Sequence, residues 1–246
     1  YKASPMENAY GRPFVDFRTG EILSCHIAVF HSVFDMLCQW YIAQTGESEE
    51  EFPDELAGRL LEMVVSHEVG HVLGLTHNFY GSSLCETEQL RDAVFLHRHG
   101  YGSSIMDYMR MNYAVQPEDG VDMSDRIPRI GAYDSLAIEW GYRYFPGLAS
   151  EEIQEKLSVW IEKKQLERKY RFQDSGGNLP EAQAEDLGRY SLETAELGMC
   201  HLKRLLRDTL RNNGRLSVES WNLAIRKQYS EYINQAFTYL GGIRKC

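Results

Sequence analysis

Residues 66–78 read "SHEVGHVLGLTHN", with histidines at 67, 71 and 77, a glutamate at 68 and a glycine at 74. His67 and His71 are four residues apart, so on a helix their rings leave the same face one turn apart. Two imidazole nitrogens so placed can share one ion about 2 Å from each. Glu68 projects about 100° round the helix from His67, where it reaches a water on that ion without filling a coordination position. A straight helix cannot supply a third ligand at this angle. Gly74 accepts the left-handed conformation that ends helices, and a turn there carries His77 back beneath the ion. Three neutral nitrogens leave one position for water, the arrangement of a catalytic zinc. An all-imidazole, open tetrahedral site suits zinc best, although cobalt or nickel can replace it in vitro. His-Glu-x-x-His alone is moderate evidence; adding Gly74 and His77 at fixed offsets lowers chance occurrence to on the order of 10⁻⁵. The alternative is a buried helix that happens to carry three hydrogen-bonded histidines.

Such a site needs a helix aimed at the ion and a turn beneath it. Pro53, Asp54 and Glu55 open the zinc helix, since proline suits the first turn and acids suit its positive end. It is expected to run to about Leu75. His67 and His71 continue the inward stripe of Leu56, Leu60 and Val64. Other apolar residues lie all round it, which predicts burial on every side. Upstream, "RPFVDF" and "EILSCHIAVF" flank "RTG" and read as a β-hairpin, with Leu23, Cys25, Ile27 and Val29 on one face. Val33, Phe34, Leu37, Cys38 and Tyr41 then form a helical stripe. Glu21–Phe30, or its hairpin partner, is the candidate edge for an extended substrate.

A shorter helix is expected near Glu86–Arg98, followed by "GYGSSIMDY" and by irregular chain through "QPEDG" and "RIPRIG". Beyond Pro146 the pattern becomes helical. Ile153, Leu157, Trp160 and Ile161 form one stripe, Leu202, Leu205, Leu206 and Leu210 a second, and Val218, Trp221, Ile225, Tyr229, Ile233 and Phe237 a third. "QDSGGNLP" separates the first from the others. The predicted class is α+β and predominantly helical. Residues 1–147 form a catalytic part with a small antiparallel sheet, and residues 148–246 a helical subdomain.

"HEVGHVLGLTH" resembles the metzincin clan of zinc metalloproteases. "SSIMDY", residues 103–108, resembles the clan's second hallmark, a tight turn with a methionine under the zinc ligands. Further stretches ("DFRTGEIL", "QPEDG", "PRIGAYDSLAIEWGYR" and "AEDLGRYSLETAELGMCHLKRLL") are similar to a family of large exported bacterial zinc-dependent metalloproteases. The resemblance runs from about residue 11 onward. It implies His67, His71 and His77 as zinc ligands, Glu68 as general base and Met106 as a structural floor. Tyr108 matches the tyrosine that astacin-like and serralysin-like metzincins place near zinc, able to swing to the oxyanion; the alternative is a packed turn tyrosine. Metzincins build several strands before the zinc helix. Here 66 residues precede His67 and hold one hairpin, so the remaining strands are expected from a longer parent polypeptide.

The implied activity is that of a zinc endopeptidase: bound zinc acidifies a water, and Glu68 takes its proton and passes it to the leaving amine. A zinc-bearing peptide-binding module without turnover, or a hydrolase of other amides or esters, are the alternatives. The retained Glu68 argues against the first. A net charge of −10 and a pI near 5.3 disfavour nucleic acid and anionic membrane surfaces. No apolar run is long enough to span a membrane, and "YKASPMENAY" is no signal peptide. The resemblance implies export, to the periplasm, the outer membrane or the medium.

The five cysteines (25, 38, 85, 200 and 246) show no pairing motif, and Cys25 and Cys38 are expected to be buried as small apolar residues. His97 is expected to pack on the stripe of Leu90, Ala93 and Val94. Asp119, Asp122 and Asp125 lack calcium-loop spacing and read as a solvated turn. Lys203, Arg204, Arg207 and Arg211 read as a solvent-facing basic helix face. Asn78 has no evident role, and Asp134 either anchors the turn under the site or caps the next helix.

Overall fold

The computed structural model describes residue 3 and residues 6–174, 179–211 and 218–241. Two strands, β1 (Ala9–Val15) and β2 (Ile22–Val29), are followed by seven helices. These are α1 (Val33–Thr45), α2 (Asp54–Val72), α3 (Ala93–His99), α4 (Ala132–Tyr142), α5 (Ser150–Lys164), α6 (Ser191–Arg211) and α7 (Val218–Gly241). The expected α+β, mainly helical class is the observed one.

β1 and β2 pair antiparallel, with Gly11 opposite Ile27 and Phe14 opposite Ser24. The hairpin lies on α2 through β1. A Cβ at Gly11 would stand 2.1 Å from the Glu68 carbonyl oxygen, so only glycine lets this strand touch the helix backbone. Towards its turn the hairpin is exposed on both faces, Ser24 and His26 on one and Leu23 (56%) and Cys25 on the other, so Cys25 is not buried as the alternation suggested; Val29, further along the same face, packs against the core.

One apolar core joins both halves of the chain. Val33, Leu37, Tyr41 and Ile42 of α1 and Leu56 and Leu60 of α2 share a cluster with Leu202 of α6 and Trp221 and Tyr232 of α7. Cys38 is buried in it, as its stripe predicts. α5 only half-buries its stripe. The side chains of Leu210, Arg211 and Val218, like all of Cys246 and part of "QDSGGNLP", lie outside the described residues.

Four further expectations need correction. α2 is not buried all round: Val69 and Leu73 are each 39% exposed. With Ile105, Met106, Ile130 and Ile138 they line an apolar cavity of about 450 Å³. The predicted helix at 86–98 is broken into a single turn at Gln89–Arg91 and α3, because the Asp92 carboxylate accepts the backbone N–H groups of Val94 and Phe95 and starts the helix afresh. His97 does not pack on its stripe; its side chain is 78% exposed and meets Asp125 at 3.1 Å. The acidic run at 119–125 is likewise no free turn. Asp119 makes a two-pronged pair with Arg91, both contacts 2.8 Å, and Asp125 also holds Arg129. Of the basic face of α6, Lys203 and Arg207 face solvent and Arg204 pairs with Glu118.

Met106 is fully buried beneath α2, and a Cβ on Gly70 would meet its Sδ at 2.2 Å. Gly70→Ala is expected to cost about 1–3 kcal/mol by overpacking. This would be read as a lower urea midpoint with an unchanged slope. An unmoved midpoint would mean that Met106 gives way freely.

Candidate metal centre

α2 ends in a hydrogen-bonding pattern that its sequence specifies. Gly74 takes φ +89°. Its N–H donates to the His71 carbonyl at 3.0 Å, and the Leu75 N–H donates to the Gly70 carbonyl at 3.0 Å. This pair of bonds is the Schellman ending, and it needs a left-handed residue where glycine stands. The chain reverses there, and His77 returns to the face from which His67 and His71 project.

The three rings converge. One nitrogen from each lies within 4.8 Å of the others, and His71 Nε2 and His77 Nε2 are 3.2 Å apart. His67 Nδ1 meets the Ile105 carbonyl at 2.8 Å, and His71 Nδ1 meets the Leu75 carbonyl at 2.9 Å. A carbonyl only accepts, so each Nδ1 carries the proton and each Nε2 offers a lone pair inward. Lone pairs facing one another repel unless a cation lies between them. Tetrahedral zinc, about 2.0–2.1 Å from each nitrogen, sets its ligands about 3.3 Å apart, which matches the observed spacing. The donor set therefore fits zinc, and carbonyls orienting the rings are the expected outer support. Among the described residues this is the one group of three His, Cys, Asp or Glu side chains placed to hold an ion.

Burial lowers the pKa of His67 to about 4 and that of His77 below its usual value, which keeps both rings neutral and ready to ligate. Glu68 is 6% exposed, and its Oε2 has no hydrogen-bond partner. Burial raises its pKa, against the opposing pulls of His71 and of the Gly11 N–H that donates to its carboxylate. The Tyr108 ring lies 5.4 Å from that of His67 and 4.5 Å from that of His77, centroid to centroid, and is 46% exposed. The residues singled out by sequence thus meet at one place.

The turn beneath is held by Asp134, which does both things its sequence allowed. Its carboxylate accepts from Ser104 Oγ at 2.6 Å and from the N–H groups of Ile105 and Gly131 at 2.7 Å each. It therefore anchors the methionine turn and starts α4. A second anchor was not foreseen. Ser82 donates its N–H to Asp107 and its hydroxyl to Asp186, both at 2.7 Å, joining the turn to the segment before α6.

Asn78 was missed as well. It is wholly buried, and its backbone N–H donates to the Met106 carbonyl at 3.1 Å. Its side-chain amide donates to the Arg171 carbonyl and accepts the Gln173 N–H, both at 3.0 Å, imitating a neighbouring strand. Phe79 N–H adds a bond to the Gln173 carbonyl at 2.9 Å. The residue after His77 is thus clamped from two sides. The only sequence signal was an asparagine, a residue able to replace backbone partners.

Asn78→Ala is expected to weaken zinc affinity by about 10–100-fold, the usual range for lost outer support, as read by competition with a chelating dye. An unchanged affinity would remove Asn78 from the site's framework. In the metal-free chain, His67 binds its proton less readily folded than unfolded. Folding stability is thus complete above about pH 6.5 and falls as pH drops towards 4, by up to about 3 kcal/mol. Chemical unfolding of the metal-free chain at pH 7, 5.5 and 4.5 measures this; a flat profile would contradict the buried neutral ring.

Comparison with known proteins agrees with the geometry. No curated protein and no solved structure matches the chain. The Met-zincin family model matches residues 49–246, which include α2, all three histidines and the methionine turn. The chain therefore belongs to the Met-zincin family of zinc-dependent metallopeptidases.

Proposed function

We propose that the chain is a zinc-dependent endopeptidase in which His67, His71 and His77 hold the metal and Glu68 is the general base. The observation that carries this reading is the buried carboxylate of Glu68, with one oxygen unpartnered, on the turn of α2 that holds His67. Bound zinc would supply Lewis acidity, polarising a carbonyl and lowering the pKa of water. Glu68 takes a proton from the attacking water as the new C–O bond forms. It then delivers that proton to the amine nitrogen as the C–N bond breaks. Its raised pKa makes it the stronger base, which favours proton uptake in the first half of that cycle. Tyr108, ringed by His67, His77 and Phe79, is placed to donate its hydroxyl to the developing oxyanion.

Extended substrate would lie along an edge of the hairpin, Glu21–Phe30 or its partner β1. The β1 edge borders the reacting groups, but its Gly11 N–H is given to Glu68 and Pro13 has no N–H, so there a substrate strand would be held through β1 carbonyls. Residues 1–147 would carry the chemistry and 148–246 would buttress it. As part of a larger exported polypeptide, the enzyme would meet protein substrates outside the cytoplasm. No described helix is long and apolar enough to cross a membrane.

Removing zinc with a chelator is expected to abolish cleavage of a denatured protein, and zinc to restore it. Glu68→Ala should keep one zinc per chain and lose activity by about 10²–10⁴-fold. Zinc retained with no cleavage by either form would instead identify a binding module.

A further inference from the structure

Beside His67, Glu68 and Tyr108 lies a cavity of about 220 Å³. Its walls are apolar and soft: Met36 and Trp40 of α1, Met63 and Val64 of α2, and Met109. Thioethers around an indole favour an aromatic guest. Most of the charged groups on the lining already have partners. Glu7 holds Lys227 at 2.9 Å, and Asp107 accepts the Ser82 N–H. Arg110 pairs with Glu185 at 2.5 Å and faces Glu231 at 3.8 Å, and its guanidinium lies 5.5 Å from the Trp40 ring centroid.

Glu185 carries a further sign of purpose. It stands at φ +66°, the one left-handed non-glycine among the described residues. Gln235 of α7 donates to its carbonyl at 2.5 Å, and Tyr113 donates its hydroxyl to Gln235 at 3.1 Å. The helical C-terminal part thus holds a strained backbone so that this carboxylate meets Arg110. Strain of this kind collects at functional sites.

Resting on the peptidase reading, we propose that the Arg110–Glu185 pair makes this cavity a specificity pocket for tyrosine next to the cleaved bond. An acidic guest side chain would lose its water and find Arg110 already shared by two carboxylates. A phenol finds both partners: its O–H donates to Glu185, and its oxygen accepts from Arg110. Its ring fills the methionine- and tryptophan-lined walls. Because Arg110 and Glu185 stay paired without the guest, a missing hydroxyl leaves both charges compensated, although Glu185 Oε2 and Arg110 Nε then lack hydrogen bonds. Tyrosine should therefore exceed phenylalanine by about tenfold rather than by the far larger factor of a site left unpaired.

The test uses the zinc-loaded chain and an internally quenched peptide, with Tyr, Phe, Leu, Glu or Lys placed in turn at each position flanking the cleaved bond. At one flank kcat/KM should rank Tyr first, about tenfold over Phe, with Glu last. Arg110→Met should remove the preference for Tyr over Phe and raise Lys, because Glu185 is then unopposed. Glu185→Gln should raise Glu, and it preserves side-chain volume should Arg110→Met fail to fold. Equal rates for Tyr and Phe at both flanks, or a ranking unmoved by both variants, overturns the proposal. If the loaded chain cleaves no peptide, anisotropy of labelled Tyr and Phe peptides on Glu68→Gln protein decides. Tighter Tyr binding that Glu185→Gln reduces upholds the pocket while the peptidase reading falls; equal binding removes both.

Discussion

Two imidazole Nε2 atoms 3.2 Å apart, with a third imidazole nitrogen close by, are an arrangement a protein must enforce. Each ring would be more stable in water or turned towards its own donor. Here the Ile105 and Leu75 carbonyls take the Nδ1 protons of His67 and His71, so their lone pairs have nowhere to point but inward. One of those carbonyls belongs to the methionine turn and the other to the chain just past the helix end. The geometry of the metal centre is therefore set by backbone that must itself be fixed, and much of the molecule contributes to fixing it.

Three anchors do so. Asp134 gathers Ser104, Ile105 and Gly131 around one carboxylate. Ser82 ties Asp107 to Asp186, and Asn78 ties the residue after His77 to Met106 on one side and to Arg171 and Gln173 on the other. These contacts span up to 104 positions in the chain. They explain why α6 and α7, which bear no metal ligand, share a core with α1 and α2. A site built from short range parts is rigid only when long range parts close around it.

The hairpin seats Glu68 rather than the three histidines. Gly11 brings β1 against the backbone of Glu68 and aims an N–H at its carboxylate, while burial raises the pKa of the same group. One contact thus seats the acid and sets the strand edge beside it. A side chain at residue 11 would push that edge away.

The sequence by itself determined what depends on near neighbours. The four-residue histidine spacing, the left-handed Gly74, the β-hairpin and the helices α1 and α7 follow from local periodicity and backbone sterics, but the stripes are narrower than their spacing suggests: Phe34, Tyr229 and Phe237 are 38%, 50% and 69% exposed. Tertiary structure decided what depends on who arrives from far away. Cys25 is exposed because it lies towards the turn end of the hairpin, which is exposed on both faces, His97 leaves its stripe for Asp125, and Asp119 is taken by Arg91. Asn78 gained a role only when residues 171–173 came alongside it. Partners many tens of residues apart leave no periodic trace in a chain, because no local spacing encodes which distant backbone will need a donor or an acceptor.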